Sequence, residues 1–263
     1  MKHHLILALN SLLVLFGLLA IWQVLVVFLR VPLYILPGPY AVGLAFARRF
    51  ASLAASFLLT AEAAAMGLLA SIVIGVCISL LFAQWRWLRR LFYPYTILLQ
   101  TVPIVAIAPL IIMWMGAGVA SVAFIAFLIC MAPIIANTTQ GLISVDENLI
   151  HLFLMHNASR SQILFKLRLP HAMPNLFVGI RISSGIAVIG AIVGELFAGS
   201  SRVGEGGLGY SITYANAQLE TDYLFALVLA ATILGFLFFF LGMFFEWYFL
   251  HSWHESNRSE ASE

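Results

Sequence analysis

Long, almost uncharged apolar runs recur along this chain, and they leave it one environment in which to fold. Six of them cover about 5–29, 56–83, 92–115, 118–139, 175–198 and 222–250. A helix needs about 20 apolar residues to cross the hydrocarbon of a bilayer. The runs do not alternate with period two as barrel strands do, and backbone groups in lipid must be bonded within the segment, so each run is expected to be a helix. Of 263 residues, 63% are hydrophobic and 9% charged, where soluble domains carry about 25% charged residues. Mean hydropathy is +1.03. Six spans with their connections consume nearly the whole length and exclude a soluble catalytic domain. The expected fold is an all-α integral membrane protein, a single transmembrane domain over 1–263 with six transmembrane helices. The first run is too long for a signal peptide and has no small-residue cleavage site before Arg30, so it reads as an uncleaved anchor. Cys77 and Cys130 fall inside apolar runs and read as small hydrophobes.

Lysine and arginine set the orientation. With the N-terminus inside, the cytoplasmic side holds Lys2, Arg86, Arg89, Arg90, Arg160, Lys166, Arg168, Arg181 and Arg258, and the outside holds Arg30, Arg48, Arg49 and Arg202. The reverse orientation reverses that excess. An even number of spans returns the C-terminus to the cytoplasm. Outside, residues 30–55 read as an extended Pro-rich piece followed by a short interfacial helix. Trp85-Arg86-Trp87-Leu88-Arg89-Arg90 reads as a compact cytoplasmic turn. Residues 199–221 read as a glycine-rich outer loop, and Glu255–Glu263 as a frayed tail.

The longest polar stretch lies inside, about 140–174, and within it residues 146–170 have their own logic. Asp146 and Glu147 suit a helix start. Asn157-Ala158-Ser159 interrupts the apolar periodicity as a helix end, a turn and a new N-cap, with Ser159 capping a helix through Ile163 and Leu167. Pro170 is expected to end that helix. Two short helices then meet at a small-residue turn on the membrane face. They form either a knob for a partner's groove or an amphipathic surface helix with no partner.

This segment resembles the loop by which permease subunits of ATP-binding-cassette (ABC) importers dock on their ATPase. Leu167-Arg168-Leu169-Pro170 stands where that loop has Ile-x-Leu-Pro, and Ala158-Ser159 matches the small residues after its glycine. The loop's Glu-Ala-Ala is replaced by His151-Leu152-Phe153, which removes one polar contact. Its glycine is replaced by Asn157, which tolerates positive φ. Leu36-Pro37-Gly38-Pro39, Leu99-Gln100-Thr101-Val102-Pro103 with Ala108-Pro109 and Gly116-Ala117-Gly118, Asn137-Thr138 with Gly141 and Asp146, and Glu195 with Gly207-Leu208-Gly209-Tyr210 are similar to motifs of the nitrate, sulfonate and taurine permeases, in the same order. Trp253-His254-Glu255-Ser256 is similar to the tail of permeases for vitamin precursors.

The resemblance implies a bacterial inner-membrane permease with cytoplasmic termini that works by alternating access on a small anion, sulfonate or vitamin precursor. Its implied partners are two ATPase subunits carrying ATP and Mg, a periplasmic or extracellular solute-binding protein, a second copy of itself, and lipid. No nucleic acid and no cofactor of its own are implied. The ATPase-coupling residues would be His151, Leu152, Phe153, Asn157, Ala158, Ser159, Arg160, Leu169 and Pro170.

Polar groups within spans are functional candidates by default. Gln100 and Thr101 stand beside Pro103, and Pro103 and Pro109 free carbonyls, so this stretch either lines a polar path or kinks for packing. Glu195 either caps a pathway or bonds a neighbouring backbone. Glu62 reads as solvated, and Glu246 as interfacial or ion-paired. Ala63, Gly67, Ser71 and Gly75, at fourfold spacing, suit close helix packing within or between subunits. Catalytic chemistry has no support. The histidines are scattered, with His151 and His156 five apart, and no phosphate loop precedes a Lys-Ser/Thr pair. Gly204-Glu205-Gly206-Gly207 follows no strand, which removes a nucleotide reading. An ion-coupled carrier and a non-transporting scaffold are the alternatives.

Overall fold

The computed structural model describes residues 2–199 and 206–254. Arg202, Gly204, Glu205 and the tail from Glu255, including Ser256 and Arg258, lie outside the described residues. All regular structure among the described residues is helical. In order it comprises α1 (Lys2–Phe28), α2 (Pro39–Arg48), α3 (Phe50–Gln84), α4 (Arg86–Thr101), α5 (Ile104–Met115), α6 (Val119–Ile143), α7 (Glu147–Met155), α8 (Arg160–Ile163), a π-helical turn (Leu164–Arg168), α9 (Leu169–Ala198), α10 (Leu208–Ala217) and α11 (Thr221–His254). Four helical stretches are long and apolar enough to cross a bilayer: α3, α6, the run Arg160–Ala198 and α11. The α4–α5 pair passes the same test jointly. Apolar α1 has 27 residues. The 35 residues of α3 make a rod roughly 50 Å long, well beyond a hydrocarbon core of about 30 Å.

Helix α6 is the centre, held between α3 and α9 by residues too small to keep the backbones apart. A Cβ on Gly67 would lie 2.6 Å from the Ala123 carbonyl, and one on Gly190 2.9 Å from the Ala126 Cα. Gly75 meets Ile134, Gly179 meets Pro133 and Ile134, and Gly194 meets Val122. Serines add bonds across the seams. Ser71 Oγ donates to the Phe127 carbonyl at 2.8 Å, and Ser183 Oγ to the Cys130 carbonyl at 2.9 Å. The α3 stripe Ala63, Gly67, Ser71 and Gly75 is therefore buried within the subunit. In lipid, where apolar burial drives nothing, such contact supplies the dispersion and hydrogen bonding that hold helices together.

Four expectations change. Residues 85–90 do not form a turn, because only the extended Trp85 breaks the chain and residues 86–90 already wind as the start of α4. The run 92–115 is not one rod, because α4 and α5 meet at 100° across Val102–Pro103. Pro103 cannot donate a helix bond and forces Val102 out of the helical region, to φ −70°, ψ 122°. Pro109, by contrast, lies inside α5. Pro170 does not end its helix either, since Arg160–Ala198 is continuous. The π-helical turn just before it lets the Leu169 N–H reach back five residues to the Leu164 carbonyl. That widening makes room for the proline ring, which in a regular helix would strike the carbonyl four residues earlier. The segment after residue 199, expected as an outer glycine-rich loop, is not all loop, since it contains α10.

At the other end, the Arg49 guanidinium forms a two-pronged ion pair with Glu220 and lies 4.6 Å over the Tyr223 ring, tying the α2–α3 corner to α11. Gly38 packs on Gln23, whose Oε1 accepts from the Tyr40 N–H at 3.2 Å. This contact ties α1 to the start of α2. Within the span region, Arg181 pairs with Glu246 at 3.0 Å, as the ion-paired reading of Glu246 expects.

Two outcomes follow. Gly67→Leu drives a side chain into the Ala123 backbone and is expected to lower stability by about 1–3 kcal/mol or more. Gly17→Leu meets nothing within 4 Å and should leave the detergent melting temperature unchanged. The Arg49 hydrogen bond holds the Glu220 carboxyl below the usual carboxylate range. The contact is complete above the ordinary carboxylate pKa and is lost as pH falls through the depressed one. The protection of α2 amides, taken relative to their intrinsic exchange at each pH, should therefore fall below about pH 4, and Glu220→Gln should abolish that dependence.

Candidate functional site

Residues 146–170 form a largely exposed corner closed by local hydrogen bonds. Asp146 caps α7 by accepting from the Asn148 N–H at 2.8 Å. α7 has no buried residue, and Leu149, Leu152, Leu154 and Met155 are exposed, Met155 at 81%. Asn157 turns the chain at φ 55°, the left-handed conformation expected of a residue in a glycine position. The Asn157 and Ala158 amides donate back to the Leu154 and Phe153 carbonyls. Ser159 caps α8 as expected. Gln162 completes a capping box by accepting from the Ser159 N–H at 2.7 Å, and the Ser-x-x-Gln spacing already carried that signal. His151, Asn157, Ser159 and Arg160 are exposed around the turn, while Leu169 and Pro170 sit half-buried in the helix that leads away from it.

A groove of about 360 Å³ opens between α7 and the α8–π segment, lined by Leu152, Phe153, His156, Ala158, Gln162 and Lys166. It joins three of the expected coupling residues to His156, Gln162 and Lys166, which sequence reasoning passed over. Their signal was helical phase, since they stand at one-turn intervals around the turn.

Gln100, Thr101 and Pro103 lie exposed at the α4–α5 break, and Pro109 lies exposed on α5. Thr101 Oγ1 donates to the Leu98 carbonyl at 2.8 Å, covering one carbonyl of the broken end. Glu195 is not brought into this group. It is 6% exposed, and its Oε2 accepts from Thr60 Oγ1 at 2.9 Å and from the Gly209 N–H at 2.8 Å. Thr60 Oγ1 in turn accepts from the Leu208 N–H at 2.8 Å. α10 begins at Gly207, which has no side chain to cap it. Its cap therefore comes from Glu195 on α9 and Thr60 on α3, where a carboxylate meets free amides at the positive end of a helix. A Cβ at Gly207 would collide with the Glu195 carboxylate, and one at Gly209 with the Ile192 carbonyl. The Gly-Leu-Gly pattern is thus the imprint of Glu195. Nothing in the sequence paired Thr60 with it, because the partners are 135 residues apart. Among the described residues no cluster of His, Cys, Asp and Glu could hold a metal ion.

Residues 67–249 match the family described as binding-protein-dependent transport system inner membrane component. Three relatives are similar along most of their length. A protein of Haemophilus influenzae called "Probable ABC transporter permease protein" is 35% identical over 84% of this chain and 88% of its own. The riboflavin transport system permease protein of Chloroflexus aurantiacus is 36% identical over 79% of this chain and 76% of its own. The formylaminopyrimidine transport permease protein of Halalkalibacterium halodurans is 31% identical over 84% of this chain and 86% of its own.

Glu195→Ala should strand the Gly209 amide and cost about 1–3 kcal/mol, seen as faster hydrogen exchange across α10. Glu195→Gln keeps an acceptor oxygen and should stay near wild type.

Proposed function

Since the chain belongs to the binding-protein-dependent transport inner-membrane family, as a permease of the sulfonate and taurine group of ABC importers, we propose that the α7–α8 corner is where it takes force from an ATPase. The chain is the membrane-spanning subunit of an importer of small solutes and is not itself the catalyst. Its six spans are α1, α3, the bent α4–α5 pair, α6, α9 and α11, with both termini and the α7–α8 corner in the cytoplasm. A homodimer of this chain binds two ATPase subunits, which hold ATP and Mg, and receives solute from a binding protein on the outer face.

One observation carries the coupling role. α7 is an apolar helix with no buried residue, closed by a left-handed Asn157 and a capping box, and it feeds a helix that continues to Ala198. Leu152, Phe153 and Ala158 line the docking groove, and His151, Asn157, Ser159 and Arg160 stand exposed around the turn. Leu169 and Pro170 pass displacement into α9 without a hinge, because the π turn already accommodates the proline. Glu195 then delivers that displacement to α10 on the outer side. ATP-driven approach of the two ATPases rocks the paired corners, and the pathway beside Gln100, Thr101, Pro103 and Pro109 alternates between the two faces. Riboflavin and formylaminopyrimidine, the solutes named for two relatives, are the first of the vitamin-precursor class to assay. Sulfonates and small anions come next.

Asn157→Pro tests the corner, because proline cannot adopt φ 55° and would lose the amide bond to Leu154. The variant should insert normally yet lose co-purification and stimulation of its ATPase by tenfold or more, as should deletion of 157–160. Asn157→Gly should retain both. Normal ATPase coupling in Asn157→Pro would sink the docking role.

A further inference from the structure

A second cavity, of about 500 Å³, lies on the opposite side of α7 from the docking groove. It opens where α3 and α6 end and α4 and α7 begin, so the partial charges of the helix ends largely cancel. Its net charge is set by side chains. Arg86, Arg89, Arg160 and Arg168 line it, against one carboxylate, Glu147, among the described residues. Arg168 reaches in from the π turn. One of its Nη atoms donates to the Ala83 carbonyl at 2.7 Å, while its Nε is buried with no protein partner. No ion pair within 4 Å joins any of these arginines to a carboxylate among the described residues. Four cations gathered in one recess repel one another, and a planar fork with a buried free donor calls for an oxyanion.

The surroundings select the source of that oxyanion. Trp85 and Trp87, 44% and 65% exposed, stand at the rim where two apolar helices end. This is the depth that tryptophan prefers at a membrane surface. Apart from Gln84, the remaining wall is apolar, with Ile143, Val145, Ile150, Leu154 and Ile163. A free phosphate ion would need donors on every side. A phosphodiester carried on glycerol presents its charge to the arginines and its carbon to the wall. We propose that this cavity binds the phosphate of an anionic membrane lipid, beside the helix that meets the ATPase. The assignment rests on the arginine cavity and holds whether or not α7 docks an ATPase.

The test is native mass spectrometry of the full chain released from nanodiscs holding phosphatidylglycerol and phosphatidylethanolamine in equal amounts. Wild type should retain the anionic lipid preferentially. Arg86→Gln with Arg89→Gln should cut that preference by roughly tenfold or more. Glu147→Gln should raise it, a gain that misfolding cannot imitate. Equal retention of the two lipids by wild type, or an unchanged preference in the double variant, overturns the proposal. Displacement of the lipid by millimolar inorganic phosphate would support the phosphate chemistry and assign its source to a soluble anion. Unchanged lipid preference with lost ATPase binding would overturn the proposal in favour of a partner's carboxylates.

Discussion

The close approach of α6 to α3 and α9 is the contact on which the rest depends. Gly67 and Gly75 on one side, and Gly179, Gly190 and Gly194 on the other, bring backbones to a separation that no larger side chain permits. In lipid there is no bulk hydrophobic gain from pairing two apolar helices. Stability comes from packing density and from hydroxyls such as Ser71 and Ser183 bonded across the seam. The same seam leaves large apolar side chains of α1, α4, α5 and α11 facing outward, as a protein surrounded by lipid requires.

On that rigid centre, two devices connect the ends of α9. At one end the π turn accommodates Pro170, so a residue that usually breaks helices sits inside a continuous rod from Arg160 to Ala198. At the other end Glu195 caps α10, with Thr60 closing the arrangement from α3. The proposed coupling depends on both, because compliance at either end of α9 would dissipate displacement along it. Helix α7 separates two recesses of different chemistry, a groove of mixed apolar and polar lining on one side and an arginine-lined cavity on the other. A difference of about 130° in helical phase, at about 100° per residue, turns Leu152 and Phe153 toward one and Ile150 and Leu154 toward the other.

The sequence was most legible where the signal was local. Ser159 as a cap, Asn157 at positive φ and the helix after Pro37-Gly38 each depend on neighbours within a few residues. The break at Pro103 was legible as a chemical fact, but its 100° bend was not, since a missing N–H does not say which way the chain leaves. Pro170 misled because the π turn that accommodates it leaves no mark in residue type. Glu195 stood out as a buried-charge candidate, yet its role followed from Thr60 and Gly209, which only the fold brings to it.

What the sequence determined by itself is the class. Apolar runs of span length, with backbone bonding satisfied inside each, admit only a helical membrane protein, and its ordered motifs carry the family. What the tertiary structure decided is which helix faces which. The small-residue stripe of α3 could have met a second subunit or α6, and the arginines at 86, 89, 160 and 168 could have been scattered over a surface. Side-chain chemistry fixes what each segment tolerates around it, but in a bilayer it says little about direction. Direction comes from shape matching between helices, a property of pairs that no single segment contains.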